Sequence, residues 1–582
     1  MTEPALSQLT GSGRIIRWLP GLHTFLHYEP KNFFPDLSAG LVLAAILIPV
    51  GMSYAEASGL PAIYGLYTTI STLLVYALFG PSRILVLGPD SALAGLIATT
   101  ILPLSGGSTD KSIVLASMLA LMIGGLCVLS GFLKLGFVTE LLSKPIRYGY
   151  LNGIALTVLV SQLPKLCGIE IENSNLIHGL VAFFNEVRSG HVNWLIAAIG
   201  GSCIAIIKLG QRYSPKIPTI LFAMIIATIF VSLLSTQTQS SIAVVGNLPQ
   251  GFPAFIWPMV SIDDFKALFS AALAISLVAF ADMSVLSRTY AQRLGEQAKP
   301  NQELVALGFA NLGAGFFQGF SVSSSASRTP VAEAAGAKTQ LTNVIGAICI
   351  ILVLYFTPSL LQHVPRTVLA AIVITATLSL VEIRELRRFH RVRPSEFWLS
   401  MTCFMGVAFI DVVQGIFFAV GVALIAFVWR AWRPYDAILG HVENQGYHDI
   451  TRNLQAKQIA GLIIFRWDAP LFFANQETFR NHIQQAILNA ESPPQWIVIA
   501  AEPITDIDLT AVDMLLELTQ QLKQSNISLN FAEMKDPVKD QLKNYEVFNE
   551  WGEAHFFPTI DNAVDQFLMM LKNKPTTISP TV

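Results

Sequence analysis

Apolar residues in this chain collect into long runs divided by short, often basic, loops. Runs of about 20 residues with few charges predict helices that cross a bilayer. They lie at about residues 36–57, 63–80, 112–136, 148–166, 192–209, 217–235, 266–285, 303–320, 341–361, 366–382, 395–411 and 412–433. The first is interrupted by Pro49 and Gly51. Two more apolar segments, Ser91 to Leu104 and the run opened by Pro330, are too short to cross as ordinary helices. The pattern therefore predicts an α-helical polytopic membrane protein of about 14 segments.

Lysine and arginine orient these segments. Loops after even-numbered segments hold Arg83; Lys134, Lys144 and Arg147; Lys208, Arg212 and Lys216; Arg288, Arg293 and Lys299; Lys338; and the cluster Arg384, Arg387, Arg388, Arg391 and Arg393. Loops after odd-numbered segments are poor in them, while Arg14 and Arg17 precede the first. Positive charge stays inside, which places both termini in the cytoplasm. The two short segments hold the third place in each set of seven, each beside a proline, Pro89 or Pro330. Paired interrupted segments at matching places in two halves point to a transporter site, and an odd number per half makes the repeat inverted.

The pattern changes near Asp436, where Glu, Gln, Asn and Lys become common. AGLIIFRWDAPLFFAN and QWIVIAAEP read as buried strands and AVDMLLELTQQLKQ as an amphipathic helix, which predicts a small α/β domain. The chain thus divides into an N-terminal segment 1–35, a transport domain 36–435, a cytoplasmic domain 436–573 and a tail 574–582. A composition 53% hydrophobic and 13% charged, with mean hydropathy +0.54, excludes a soluble globule. The five cysteines are scattered without metal or disulfide spacing, and the ten histidines show no ligand spacing. No signal-peptide core precedes the first span, so that span itself should direct insertion.

The candidate chemistry lies between Gln318 and Leu341. Ser321, Ser323, Ser324, Ser325, Ser327 and Thr329 crowd round Arg328 in a setting that is otherwise apolar. We read an extended segment entering a half-helix at mid-membrane depth, with Pro330 at its first helical position, where a missing donor costs nothing. Unpaired N–H groups and partial positive charge make such an end attractive to anions. Arg328 is costly in hydrocarbon unless it meets a cavity or a partner, Glu333 or Asp90 being the alternatives to a ligand. The hydroxyls could also serve only the backbone of a broken helix. Asp90 reads equally as a helix cap. Asp282 is an acid inside an apolar run, where a charge is expensive and a buried structural hydrogen bond is the plainer role.

Several stretches resemble the sulfate permease (SulP) family, related to animal anion exchangers and prestin. They are DLSAGLVLAAILIPVGMSYAEASGLPAIYGLYT, FGPSRILVLGPDSALA and NQELVALGFANLGAGFFQGFSVSSSASRTPVAEAAGAKTQL. ITDIDLTAVDML resembles the family's C-terminal STAS domain. The resemblance implies 14 segments in two inverted repeats, a core and a gate, alternating access and a homodimer. It implies an anion held between the starts of the third and tenth segments, by Pro89, Asp90, Ser91 and Ala92 on one side and Ser325, Ser327, Arg328 and Thr329 on the other. Tyr54 matches an aromatic of that site, and Asp282 an acid that couples transport to an ion. Asp508 and Thr510 fall in the STAS motif, as a loop and helix cap first and a regulatory site for a cytoplasmic partner second. Departures are Val50 where glutamine is common, Asp90 where threonine or an aromatic is common, and Leu509 and Ala511 in the STAS motif.

These readings predict a secondary transporter of a small inorganic anion in the cell membrane, with sulfate first and bicarbonate or a dicarboxylate next. The coupling ion is a proton, or sodium held by a carboxylate with Ser284 or Thr329. A channel, or a sensor that binds anions without moving them, is the rival. No phosphate loop, nucleophile elbow or metal cluster points to an enzyme, and no cofactor or nucleic acid is expected.

Overall fold

The computed structural model describes residues 19–26, 28–136, 143–169, 171, 176–213, 218–237, 242–246, 248–249, 251–325, 327–410 and 412–572. Arg14, Arg17, Lys216 and the tail from 574 lie outside them. The chain forms two compact units, Met1–Ala423 and Leu424–Val582.

A helix occupies each expected position, the last of them running past the end of the first unit. They are α1 (Phe33–Ala57), α2 (Ala62–Phe79), α3 (Ser91–Ser105), α4 (Thr109–Phe132), α5 (Lys144–Leu166), α6 (Trp194–Tyr213) and α7 (Thr219–Gln237). The series continues with α8 (Ile262–Leu294), α9 (Pro300–Phe316), α10 (Arg328–Ala334), α11 (Leu341–Phe356), α12 (Arg366–Thr377), α13 (Pro394–Met405) and α14 (Val412–Trp432). Among the described residues, six helices are long and apolar enough to cross a membrane. Among the described residues of the first unit, three α-helices arise where no span was expected: Pro20–Leu26, Leu176–Arg188 and Ile383–Val392.

Caps set several of these ends. Ser261 accepts from the Asp264 N–H at 3.1 Å to start α8, and Gly295 closes it at φ 69°. The expected break in α1 does not occur, since the helix runs unbroken through Pro49. The Pro49 carbonyl accepts the Ser53 hydroxyl at 2.6 Å, and α2 packs hard against the same stretch. A Cβ on Gly65 would fall 1.9 Å from the Gly51 carbonyl oxygen, so the two backbones touch. Tertiary contact here outweighs the donor that proline removes. Small residues also seam α4 to α9, where a Cβ on Gly124 or Gly308 would lie 2.8 Å from the other's carbonyl oxygen. Close backbone approach of this kind drives helix association in lipid.

Asp36, fully buried in the first turn of α1, fixes the chain that follows α10. Its carboxylate accepts from the Lys338 N–H (2.7 Å), the Thr339 N–H (3.0 Å) and the hydroxyls of Thr339 (2.7 Å), Thr342 (3.0 Å) and Tyr28 (3.2 Å). Asp36→Ala would strand two backbone donors. It is expected to cost about 3 kcal/mol or more, and a fall in the thermal unfolding midpoint in detergent checks this.

In the second unit a six-stranded sheet has the order β4-β3-β5-β6-β7-β8. The strands are β3 (Asp436–Val442), β4 (Gly446–Asp449), β5 (Leu462–Trp467), β6 (Trp496–Ala500), β7 (Ser528–Ala532) and β8 (Phe556–Phe557). β3 pairs antiparallel with β4 and β5, and β5 to β8 run parallel. Helices Gln476–Leu488 and Leu509–Gln524 cross between parallel strands, as such a sheet requires. β5 and β6 are almost wholly buried because the sheet is covered on both faces.

Candidate functional site

The two short helices are joined at their starts by a two-stranded ladder too small to read from periodicity. β1 (Leu87–Gly88) and β2 (Ser323–Ser324) pair antiparallel, with Leu87 opposite Ser324 and Gly88 opposite Ser323. The Ser325 N–H donates to the Val86 carbonyl at 3.0 Å, and the Val86 N–H to Thr329 Oγ1 at 3.1 Å. α3 and α10 therefore leave the ladder in opposite directions. Asn311 of α9 braces β2, its amide donating to the Val322 carbonyl and its oxygen accepting the Val322 N–H.

At the α3 start, Asp90 is the N-cap and accepts the Ala92 N–H at 3.0 Å. At the other start the helix begins at Arg328, two residues before Pro330. Ser325 Oγ accepts the Arg328 N–H at 3.2 Å and lies 3.3 Å from Ser327 Oγ, which winds the turn before the proline is reached. Pro330 thus stands third, still among the positions whose N–H groups have no helical partner.

Arg328 is 2% exposed, and none of its three side-chain nitrogens has a hydrogen-bond partner among the described residues. Nη2 lies 3.9 Å from Asp90 Oδ1, beyond hydrogen-bond reach. A Cβ on Gly88 would meet Nη1 at 3.1 Å, so the guanidinium lies across glycine backbone. Glu333 is not its counter-ion, because that carboxylate pairs with Arg293 at 3.2 Å. Tyr54, buried in α1, is within electrostatic reach of both Asp90 and Arg328. Pro89 links β1 to that cap, so the expected residues from Tyr54 to Thr329 do converge. Among the described residues Ser321 Oγ and Ser324 Oγ are buried without hydrogen-bond partners, whereas Thr329 is spent on Val86 and Ser323 Oγ on the Ala279 carbonyl at 2.9 Å.

That last bond draws α8 in, one turn before Asp282. Asp282 pairs with Arg147 Nη2 at 3.2 Å and accepts from the Tyr150 hydroxyl at 3.4 Å, and it feels the charge of Asp90. Both direct partners stand on α5. The far end of α5 also holds α1, where Lys165 donates to the Glu56 carbonyl at 2.9 Å beside Arg366. Sequence reading missed Arg147 and Tyr150 as partners of Asp282. It also missed Glu303, whose buried carboxylate accepts hydroxyls of Tyr76 (2.9 Å), Ser82 (2.5 Å) and Ser287 (2.7 Å). Asp508 and Thr510 belong to the second unit. Asp508 caps its helix through the Ala511 N–H and also accepts the Phe473 N–H, each at 2.8 Å, while Thr510 is exposed in the first turn.

Residues 33–403 match the sulfate permease family, and residues 453–563 match the STAS domain. The chain belongs to the sulfate permease family. A "Probable sulfate transporter" of Mycobacterium tuberculosis is 36% identical over 551 residues, covering 94% of this permease and 98% of the relative. Sulfate transporter 1.2 of Arabidopsis thaliana is 28% identical over 571 residues, 94% of this chain and 87% of its own. The murine Slc26a9 anion transporter, solved in an inward-facing state, superposes with TM-score 0.89 at 22% identity over 98% and 97% of the two chains. The transmembrane domain of the cyanobacterial bicarbonate transporter BicA gives 0.59 at 23% identity over 68% and 98%. This permease is thus a multi-pass membrane protein of an anion-transporter family, with a helical transporter fold and a C-terminal STAS domain.

Proposed function

We propose that this permease is a secondary active transporter of a small inorganic oxyanion, sulfate first, working by alternating access in the cell membrane with both termini cytoplasmic. The observation that carries the reading is Arg328, a buried cation between two helix starts whose three side-chain nitrogens have no hydrogen-bond partner among the described residues. Burying a guanidinium without partners is expensive, and an oxyanion offers the paired acceptors that its fork fits. The hydroxyls and backbone of the ladder would shape the site round that anion. Sulfate stands ahead of bicarbonate because the relatives covering nearly the whole chain are named sulfate transporters.

Coupling to protons is the second part of the proposal, with Asp282 as carrier and sodium as the alternative. Asp282 sits one turn from the residue that anchors β2, and its partners Arg147 and Tyr150 lie on a different helix. Gain or loss of its charge would therefore change both the site and the hold of α5. The STAS domain is read as regulatory, and a homodimer as the working assembly.

Uptake of labelled sulfate, bicarbonate and succinate into proteoliposomes tests the function. Saturable sulfate uptake, accelerated by unlabelled sulfate trapped inside, is the expected result. A flux that neither saturates nor shows counter-transport would indicate a channel instead.

A further inference from the structure

The helix Ile383–Val392, which no sequence pattern assigned to a span, joins α12 to α13. Arg384, Arg387, Arg388 and Arg391 fall at spacings of three and four, so they form one stripe. All four are exposed. The opposite face holds the helix to the protein. There Phe389 is buried against Tyr148 of α5 with ring centroids 6.0 Å apart, and Leu386 is half-buried beside it. The Glu382 N–H donates to Asn152 of α5 at 3.1 Å, and His390 contacts Phe397 of α13 at 5.0 Å.

The flanks of the stripe are apolar and open, with Ile383 53% and Val392 73% exposed. Trp398, in the second turn of α13, is 66% exposed and touches Phe397. An exposed tryptophan at the end of a membrane helix marks the headgroup level, and here it adjoins the ring on which His390 rests. Of the four arginines only Arg388 has a carboxylate within ion-pair distance among the described residues, Glu385 at 3.5 Å.

We propose that this arginine stripe is a docking surface for the headgroups of anionic phospholipids. A preference for positive loops needs only a count of charges. It does not require four arginines on one face, between exposed aliphatic flanks and opposite a face pinned to the protein. Arginine binds phosphate oxygens through two N–H groups at once, and a basic helix beside a membrane segment gains from each charge near an anionic leaflet. Ile383 and Val392 can enter the boundary region while the guanidinium groups reach the phosphates. Because the helix spans the join of α12 and α13 and leans on α5, bound lipid would brace three helices together.

The test uses the full chain, delipidated in detergent and titrated with phosphatidylglycerol or phosphatidylcholine, with bound lipid counted by native mass spectrometry. Wild type is expected to prefer phosphatidylglycerol. Replacing Arg384, Arg387, Arg388 and Arg391 by Gln should weaken that binding about tenfold or more. A control with Lys134, Lys208, Arg212 and Arg430 replaced by Gln loses the same charge elsewhere and should keep the preference. If the fourfold variant does not fold, Arg387→Gln with Arg391→Gln should give an intermediate loss. An unchanged preference in the variants, or an equal loss in the control, overturns the proposal. So would displacement of the lipid by millimolar phosphate or sulfate, which would assign the stripe to a free oxyanion.

Discussion

Arg328→Ala is expected to lower anion affinity about tenfold or more while leaving the fold intact. Hydrogen bonds between ions are roughly twice as strong as neutral ones. Removing one partner of a buried hydrogen-bonded charge pair costs about 2–5 kcal/mol, roughly thirtyfold or more, so tenfold is a floor. The fold should survive because the described side chain makes no hydrogen bond that the variant would break. Its backbone N–H still reaches Ser325 Oγ, and its weak contact with Asp90 at 3.9 Å is not what holds α3, which Asp90 caps through Ala92. Arg328→Lys keeps the charge and loses the planar fork, so it should fall between wild type and the alanine variant. Sulfate titration of purified protein, with the thermal midpoint recorded alongside, decides. Unchanged affinity in a well-folded Arg328→Ala protein would remove Arg328 from the site.

Hydrophobic runs revealed the helices because lipid and core ask for the same thing, an apolar exterior with every backbone group satisfied within the helix. Boundaries then moved where one residue was read without its neighbours. Pro49 looked like a break because proline removes a donor, but the fit of Gly51 against Gly65 holds α1 straight through it. Pro330 looked like a start because proline suits a first position, but Ser325 and Ser327 wind the turn earlier. The helix Leu176–Arg188 escaped because LIHGLVAFFNEVR mixes polar and apolar residues over too short a length to stand out as a span.

The site was legible in part, for a physical reason. A charge or a cluster of hydroxyls in an apolar chain is conspicuous, so Arg328, Asp90, Asp282 and the serines could be picked out singly. Their pairing could not. The ladder that joins α3 to α10 has two residues per strand, and Arg147 stands far from Asp282 in sequence. Asn311 gave a faint signal as an amide in a run of apolar and small residues, and its work on Val322 emerges only from the fold.

Asp282→Asn is expected to abolish the pH dependence of uptake while leaving exchange of anion for anion at least partly intact. An oxyanion arriving near Arg328 meets Asp90, whose charge also bears on Asp282. Like charges in a site of low dielectric repel strongly, and a proton on one of them relieves the repulsion. Asp90 takes the Ala92 N–H at the start of α3, so its charge also serves the helix cap. Asp282 also has a partner to release, because its charge holds Arg147 of α5 at 3.2 Å. Protonation would then favour the anion and free α5 together, and reciprocity requires that the anion favour the proton equally. The sign follows: lowering the external pH should raise wild-type uptake, by about fivefold or more if the coupling is of ordinary strength. Asparagine is neutral at every pH and mimics the protonated state, so the variant's uptake should be flat with pH. Asp90→Asn keeps a capping oxygen and removes a negative charge beside Arg328, so it should tighten anion binding while the pH slope persists. The measurement is sulfate uptake into proteoliposomes under an imposed proton gradient without sodium. Wild-type uptake that ignores the gradient, or an Asp282→Asn protein that still follows it, would defeat the assignment, and a sodium gradient that restores uptake would give coupling to sodium instead.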